Sequence, residues 1–304
     1  GFGVALAGST GSSRIGLSPE MLGQAVDFAG KYGHEIVGVH FYRGTGTNAN
    51  ERYNESIERI LEIAQTLPDL AYVDFGGGFG FQYNSSLRGF NWQEFGKILS
   101  SKIENLARPI DLIIEPGRSA IASAGILLAS VVSCKFQDDR QIVGVDTSVS
   151  NLAVLSVHGG YREVISASCN NATKAAAPSL DKSKLLDKAS GLDLAGAAAM
   201  ALDRKIVSKN LRLYDSDVSG NTTFSRDYLA KKCLLPLLKP GDLIAVLDSG
   251  AYGFAMTSHF LHRTRPPEIL LNGEKYLLIR RRETVGDLCS TLVSEMDIEK
   301  KGMK

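Results

Sequence analysis

The sequence predicts an α/β half followed by a mainly β half, with the change near residue 122. In the first half, short continuous apolar runs alternate with longer segments whose apolar residues recur at helical spacing. In the second half, strand-like runs are separated by turn signals such as Lys239–Asp242 and Asn272–Gly273. A chain of 304 residues is long enough to bury the cores of one large or two medium domains.

Strands and helices are predicted to alternate strictly through the first half. The predicted strands are Phe2–Ala7, Glu35–Phe41, Leu70–Phe75 and Asp111–Ile114. The first helix is expected to begin at Pro19, directly after Ser18, because proline is favoured at the first helical position. The second helix has one apolar face, formed by Ile57, Ile60, Leu61, Ile63 and Ala64. The third helix is predicted over Trp92–Leu106.

Continuous apolar strands separated by helices are typical of a parallel sheet that helices cover. Four such strand–helix units make half of a (β/α)8 barrel, so residues 1–122 are interpreted as a partial barrel. Half a barrel leaves two open sheet edges.

Residues 123–304 are interpreted as a mostly antiparallel β domain. The predicted strands are Ile126–Phe136, Gln141–Asp146, Leu243–Leu247, Pro267–Leu271 and Tyr276–Arg281. Residues 167–209 are rich in Ala, Ser, Lys and Asp and are predicted to be an insertion, with a helix over Leu192–Lys205.

Composition excludes several classes of partner. The net charge of +1 gives no reason to expect nucleic acid or a membrane surface, and the longest apolar run is about half of a membrane span. The four cysteines lie far apart without metal-ligand spacing, which predicts free thiols, no metal site and a cytoplasmic protein. Because the chain starts at Gly1 inside an apolar run, we expect it to be a truncated piece.

The chemistry-bearing residues follow two neighbouring predicted strands. Glu115 and Arg118 come after the fourth strand, and Gly76–Gly78 follow the third. A carboxylate can hold the nitrogen of an aromatic ring, an arginine fork suits a phosphate, and glycine N–H groups can cradle the same anion. Together they point to pyridoxal phosphate. The alternatives are an ordinary tight turn for the glycines and a surface ion pair for Glu115 and Arg118.

A series of motifs in the same order resembles the fold-type III decarboxylases that depend on pyridoxal phosphate, the diaminopimelate/ornithine/arginine decarboxylase family. The diaminopimelate branch is the most similar. The motifs are Ser13–Gly16, Gly38–Gly46, Asp74–Gly78, Glu115–Arg118, Asp227–Ala230, Lys239–Asp242, Asp248–Phe254 and Arg280–Thr284.

The resemblance implies a set of site residues. Pyridoxal phosphate is expected to be held by Tyr42, Thr45, Gly77, Gly78, Glu115, Gly117, Arg118 and Tyr252. Among these, Glu115 is expected on the ring nitrogen, and Tyr252 adds a hydroxyl to the phosphate. Thr223 and Asp227 are expected to be catalytic, on a segment that reaches the active site of the other subunit in a homodimer.

The sequence departs from the family at several positions. The stacking histidine is replaced by Tyr42, which can still stack, and the proton-donating cysteine by Thr223, a much weaker acid. A substrate-reading carboxylate is replaced by Phe224, and a substrate-reading arginine and tyrosine by Val154 and His158. These changes favour an amino acid substrate that carries less charge than diaminopimelate.

The lysine that binds the cofactor covalently in this family has no counterpart in a Lys-Ala-Asn setting, and Lys174 is expected to be a surface residue. The expected function is a decarboxylase of amino acids that depends on pyridoxal phosphate and has altered specificity. The alternatives are a racemase, epimerase or lyase on the same scaffold, or a non-catalytic homologue that binds or regulates a partner.

Overall fold

A computed structural model describes residues 3–4, 16–41, 48, 50–67, 69–106, 109–168, 212–273 and 275–293. The chain divides into two units, Gly1–Ala122 and Ser123–Lys304. Tyr42, Thr45, Lys174 and the predicted helix over Leu192–Lys205 lie outside the described residues, as does almost all of the predicted insertion.

The first unit contains a four-stranded parallel sheet and the helices that connect its strands. In chain order the elements are β1 (Gly3–Val4), α1 (Pro19–Lys31), β2 (Gly38–Phe41), α2 (Asn50–Gln65), β3 (Tyr72–Asp74), α3 (Trp92–Ile103), β4 (Asp111–Ile113) and α4 (Gly117–Ile121). The strands lie side by side in the order β1-β2-β3-β4, all parallel. The predicted partial barrel is thereby confirmed as a fold class.

Local signals explain where the helices begin. Ser18 caps α1 by accepting a hydrogen bond from the N–H of Met21 at 3.3 Å, and Pro19 takes the first helical position as predicted. Asn91 caps α3 in the same way, through the N–H of Glu94 at 3.1 Å. These polar caps satisfy backbone donors that the first helical turn leaves without partners.

The core of the first unit lies between the sheet and helices α2 and α3. Its buried side chains come from strands and helices alike: Val39, Phe41, Tyr53, Ile57, Ile60, Leu61, Ala64, Leu67, Leu70, Val73, Phe75, Phe79, Phe95 and Leu99. Burial of this apolar set is the main source of the unit's stability.

The second unit is built mainly from antiparallel strands. Its elements are β5 (Leu127–Gln137), β6 (Arg140–Val145), α5 (Ala153–His158), β7 (Val164–Ser166), β8 (Leu213–Ser219), β9 (Tyr228–Pro236), β10 (Leu243–Val246), β11 (Glu268–Asn272), β12 (Lys275–Arg280) and α6 (Val285–Cys289). Six strands form one sheet in the order β7-β10-β5-β6-β8-β9, in which only β6 and β8 pair in parallel among the described strands. The predicted β domain is confirmed.

Strands β11 and β12 form a separate hairpin. The register pairs Asn272 with Lys275 and Leu270 with Leu277, and Gly273 has a φ of +60°, as a tight hairpin turn requires. The hairpin was predicted from Asn272 and Gly273. Within the described residues, none of the helices is both apolar enough and long enough to cross a membrane.

Candidate active site

The candidate site lies at the edge of the first unit's parallel sheet that is formed by the carboxyl ends of its strands. His40 is on β2, Asp74 is the last residue of β3, and Glu115 comes two residues after β4. Because parallel strands end at the same edge, these side chains converge: one ligand atom from each lies within 4.8 Å of the others. Glu115 was predicted from the sequence as a site residue, whereas His40 and Asp74 were not.

The glycine segment fits closely between β2 and the residues after β4. A Cβ atom on Gly76 would overlap the carbonyl oxygen of Phe41, and one on Gly77 would lie 2.8 Å from the carbonyl oxygen of Glu115. Gly76 and Gly78 also have φ values of +61° and +90°, which side chains disfavour. Only glycine at these positions lets the backbone lie this close to Phe41 and Glu115.

Hydrogen bonds hold the glycine segment and the Glu115 backbone in register. The N–H of Gly76 donates to Oδ1 of Asp74 at 2.8 Å, and the N–H of Glu115 donates to the carbonyl oxygen of Gly76 at 2.9 Å. The hydroxyl of Tyr53 donates to the carbonyl oxygen of Gly77 at 3.2 Å. The cradle and the acid are thus parts of one hydrogen-bonded arrangement.

A cluster of aromatic rings packs around Phe79, the residue that follows the glycine segment. Phe79 directly follows the triplet and is almost fully buried, and its ring stacks on that of Tyr53 with 4.8 Å between centroids. Phe90 and Phe95 meet both rings edge to face. Trp92 also packs on Phe79, with 4.7 Å between ring centroids. Close-packed aromatic rings give the site a rigid base.

The carboxylate of Glu115 is accessible and has a histidine beside it. Its side chain is 54% exposed, and its Oε2 lies 3.4 Å from Nε2 of His40. That nitrogen is buried and makes no hydrogen bond among the described residues. Asp74 is buried on the neighbouring strand, where the sheet register places it opposite His40.

Arg118 lies in the first turn of α4, three residues after Glu115. Its side chain is half-buried, and its guanidinium carbon lies 5.9 Å from the centre of the Tyr83 ring. An acid, an arginine and a glycine cradle that no Cβ could enter therefore share one edge of the sheet. This donor set fits pyridoxal phosphate, whose ring nitrogen and phosphate are the groups that such residues bind.

The segment expected to be catalytic lies in the second unit and is organised around Asp227. This residue is 3% exposed, and its carboxylate accepts hydrogen bonds from the N–H of Val149 at 2.7 Å and the N–H of Thr222 at 2.9 Å, as well as from the Thr222 hydroxyl. A Cβ on Gly220 would overlap it. These contacts show that Asp227 holds this loop, and the catalytic role expected from the sequence stays a prediction.

The other expected residues of this unit differ in accessibility. Thr223 is exposed, whereas Phe224 is half-buried and packs edge to face on Phe260 with 5.9 Å between centroids. Val154 is buried in the core, so a substrate cannot reach it. Tyr252 is partly exposed and has a φ of +56°.

Comparison with known proteins bears directly on this site. Residues 5–122 match the family described as pyridoxal-dependent decarboxylase, pyridoxal binding domain, which spans the glycine segment, Glu115 and Arg118. This part of the chain is therefore similar to the pyridoxal-binding domains of decarboxylases. The resemblance predicted from the sequence is thereby confirmed, and the cofactor that the matched domain implies is pyridoxal phosphate.

The similar proteins are diaminopimelate decarboxylases. The enzyme of Aquifex aeolicus is 26% identical over 276 residues, which are 89% of this chain and 56% of that protein. The enzyme of Methanothermobacter thermautotrophicus is 28% identical over 282 residues, with the same coverage of both chains. The chain therefore spans a little over half the length of these relatives.

Solved structures support the same fold. A protein from Aquifex aeolicus superposes with a TM-score of 0.75 at 25% identity, covering 96% of this chain and 62% of that one. Diaminopimelate decarboxylase from Helicobacter pylori, solved with L-lysine bound, superposes with a TM-score of 0.73 at 24% identity and the same coverage.

Proposed function

We propose that the protein containing this chain is an amino acid decarboxylase of the diaminopimelate decarboxylase type, with a substrate that carries less charge at its far end. The observation that carries the proposal is the convergence of Glu115, Arg118 and the Gly76–Gly78 segment at one sheet edge. Their place within the matched pyridoxal-binding domain supports it.

The residues of this chain would bind and orient the cofactor. Glu115 would hold the ring nitrogen, while Gly77, Gly78, Arg118, Thr45 and Tyr252 would hold the phosphate. Tyr42 would stack on the ring, and Gly117 would also contact the cofactor. Pyridoxal phosphate, when bound, withdraws electrons from the substrate α-carbon, and this is what loss of CO2 requires. A carboxylate on the ring nitrogen strengthens that withdrawal because it favours the protonated ring.

The second unit supplies the argument for a less charged substrate. Phe224 replaces the carboxylate that reads a distal amino group, and it is half-buried and packs against Phe260. Val154 replaces an arginine and is buried. Since Val154 lies in the core, Phe224 alone carries the inference: an aromatic side chain at a charge-reading position favours an apolar or uncharged distal group. Thr223, on the same loop, offers only a weakly acidic hydroxyl for proton transfer.

A homodimer is part of the proposal. The hairpin of β11 and β12 exposes a row of large apolar side chains to solvent: Leu270, Leu271, Leu277, Leu278 and Ile279. An isolated two-stranded hairpin is marginally stable in water, and contiguous exposed apolar residues are typical of an interface. Light scattering coupled to size-exclusion chromatography should give twice the chain mass, and Leu277→Lys should shift it toward a monomer. A monomeric wild-type protein would contradict the dimer.

The test of the reaction uses the full-length protein, pyridoxal phosphate and amino acids labelled in the carboxyl carbon. Labelled CO2 should be released fastest from substrates with an uncharged distal group. Chiral analysis of the recovered amino acid separates decarboxylation from racemisation: inversion without CO2 would replace the proposal by the racemase alternative.

The specificity part of the proposal has its own pair of variants. Phe224→Glu should shift the relative kcat/KM toward diaminopimelate and other substrates with a distal ammonium group, because it restores a negative charge. Phe224→Leu, which keeps the site apolar, should leave this ratio unchanged. Equal ratios in Phe224→Glu and the wild type would show that position 224 does not read the substrate.

A further inference from the structure

We infer that His40 is a positioning residue for Glu115: its Nε2 group holds one carboxylate oxygen so that the other faces the ring nitrogen of the cofactor. The inference rests on the proposed binding of pyridoxal phosphate and adds a residue to it. Its observation is the contact of 3.4 Å between Nε2 of His40 and Oε2 of Glu115.

The fold gives His40 a fixed position at the site. It is on β2, where its backbone pairs in register with Asp74 of β3. The imidazole occupies space that a side chain at position 76 would otherwise need, because a Cβ on Gly76 would lie 2.8 Å from Nε2 of His40. Glycine at position 76 therefore leaves room for the His40 imidazole and also allows the positive φ of the turn.

The nitrogen that faces Glu115 needs a hydrogen-bond partner. Nε2 of His40 is buried and makes no hydrogen bond with any described residue, and a buried polar atom in this state is costly. The exposed carboxylate of Glu115 offers an acceptor 3.4 Å away from it. A small rotation of that side chain would shorten 3.4 Å to an ordinary hydrogen bond.

A carboxylate can serve both neighbours at once. Each of its two oxygens accepts hydrogen bonds, so Oε2 can accept from His40 while Oε1 accepts from a ring nitrogen. A carboxylate held on one side is pre-oriented, and less conformational entropy is lost when the ring binds. His40 would therefore raise affinity for the ring and favour its protonated form.

Asp74 lies close to both His40 and Glu115. Its Oδ1 accepts the hydrogen bond of the Gly76 N–H, and its ligand atom lies within 4.8 Å of those of both His40 and Glu115. The same three residues could hold a divalent metal ion, but Oδ1 of Asp74 is already bound to backbone, which favours the hydrogen-bonded arrangement.

The experiment compares wild type, His40→Leu and His40→Gln of the full chain, with His34→Leu as the control at an exposed histidine of the same unit. Leucine keeps the bulk but donates no hydrogen bond, whereas glutamine retains an N–H donor. The measurements are the dissociation constant of pyridoxal phosphate and the 15N resonance of its ring nitrogen in the bound state. The resonance reports protonation, which a purely structural role would not change.

In the wild type the ring nitrogen should be protonated. His40→Leu should weaken binding by about tenfold, the effect expected for a hydrogen bond to a charged group, and move the resonance toward the unprotonated position. His40→Gln should keep most of the affinity for pyridoxal phosphate and most of the protonation of its ring nitrogen. His34→Leu should match the wild type in both measurements. If His40→Leu left both the resonance and the affinity unchanged, the positioning role of His40 would be overturned, while the proposed function would stand.

Two further outcomes are distinguishable from that one. A wild-type protein that does not bind pyridoxal phosphate would refute the proposed function itself. Stoichiometric zinc in the purified wild type, lost in His40→Leu, would overturn the positioning role in favour of a metal site.

Discussion

Replacing Gly77 with alanine tests the link between the glycine cradle and Glu115. The added Cβ would lie 2.8 Å from the carbonyl oxygen of Glu115, a backbone atom that cannot rotate away. The carbonyl oxygen of Gly77 is held by Tyr53, and the N–H of Glu115 is held by Gly76, so neither side of the contact is free to move alone. The substitution must therefore shift the backbone that carries the acid.

Overpacking of this kind typically costs about 1–3 kcal/mol. A matched control is Gly96→Ala, the same chemical change in the interior of α3, where the new Cβ would have no atom within 4 Å. There alanine should stabilise the unit by about 0.5–1 kcal/mol, since glycine is the poorer helix former. The two variants should therefore differ in sign.

Trp92 makes the measurement specific for the first unit. It is the only tryptophan of the chain, and it packs on Phe79 directly beside the glycine segment. Its fluorescence during urea unfolding should give a lower midpoint for Gly77→Ala and a higher one for Gly96→Ala, and pyridoxal phosphate should bind more weakly to Gly77→Ala only. If Gly77→Ala unfolded at the wild-type midpoint and bound the cofactor equally well, the close fit of the cradle against Glu115 would be refuted.

Two further predictions concern Arg118 and the cysteines. Arg118→Gln should lower affinity for pyridoxal phosphate by about tenfold or more and leave affinity for pyridoxal, which has no phosphate, nearly unchanged; an equal loss for both ligands in a fluorescence titration would contradict a phosphate role. Burial raises the pKa of the Cys233 thiol to about 11, so only about one such thiol in a thousand is ionised at pH 8, whereas Cys289 is exposed. Peptide mapping after brief alkylation of the native protein should find Cys289 modified well before Cys233, and equal rates would show that Cys233 is not protected.

The alternation of the first unit was predictable because it depends on local signals. Continuous apolar runs mark β2 and β3, and Pro19 after Ser18 marks the start of α1. The fourth strand shows what periodicity leaves out. Its run was expected to be buried, yet all three residues of β4 are exposed, since among the described strands β4 pairs only with β3. An apolar strand at an open edge has the same sequence as one inside a closed barrel.

Strand β8 was missed because its buried face is partly polar. Ser216 on β8 is fully buried and accepts a hydrogen bond from Nε2 of Gln141 at 2.9 Å, and the same amide donates to the carbonyl oxygen of Pro236. A serine at a core position hides the alternation by which a half-buried strand is identified. Gln141, whose hydrogen bond makes a buried serine tolerable here, lies 75 residues away from Ser216 in the chain. The sequence near Ser216 therefore does not reveal this partner.

The site residues divide in the same way. Glu115, Arg118, Gly77 and Gly78 could be predicted because each side chain or backbone type has an obvious use with a phosphorylated ring. His40 was not singled out, because its value comes from the strand register that places it beside Glu115.

Asp227 has a structural part that its family motif does not reveal. It was assigned to catalysis through its place in a family motif, but its carboxylate is buried and accepts hydrogen bonds from Val149 and Thr222. Hydrogen bonds to a charged acceptor are each worth about 1.5–3 kcal/mol, enough to fix the conformation of the loop that carries Thr223 and Phe224. A motif position indicates that a residue is needed; whether it touches the substrate or holds the residue that does is decided by its contacts.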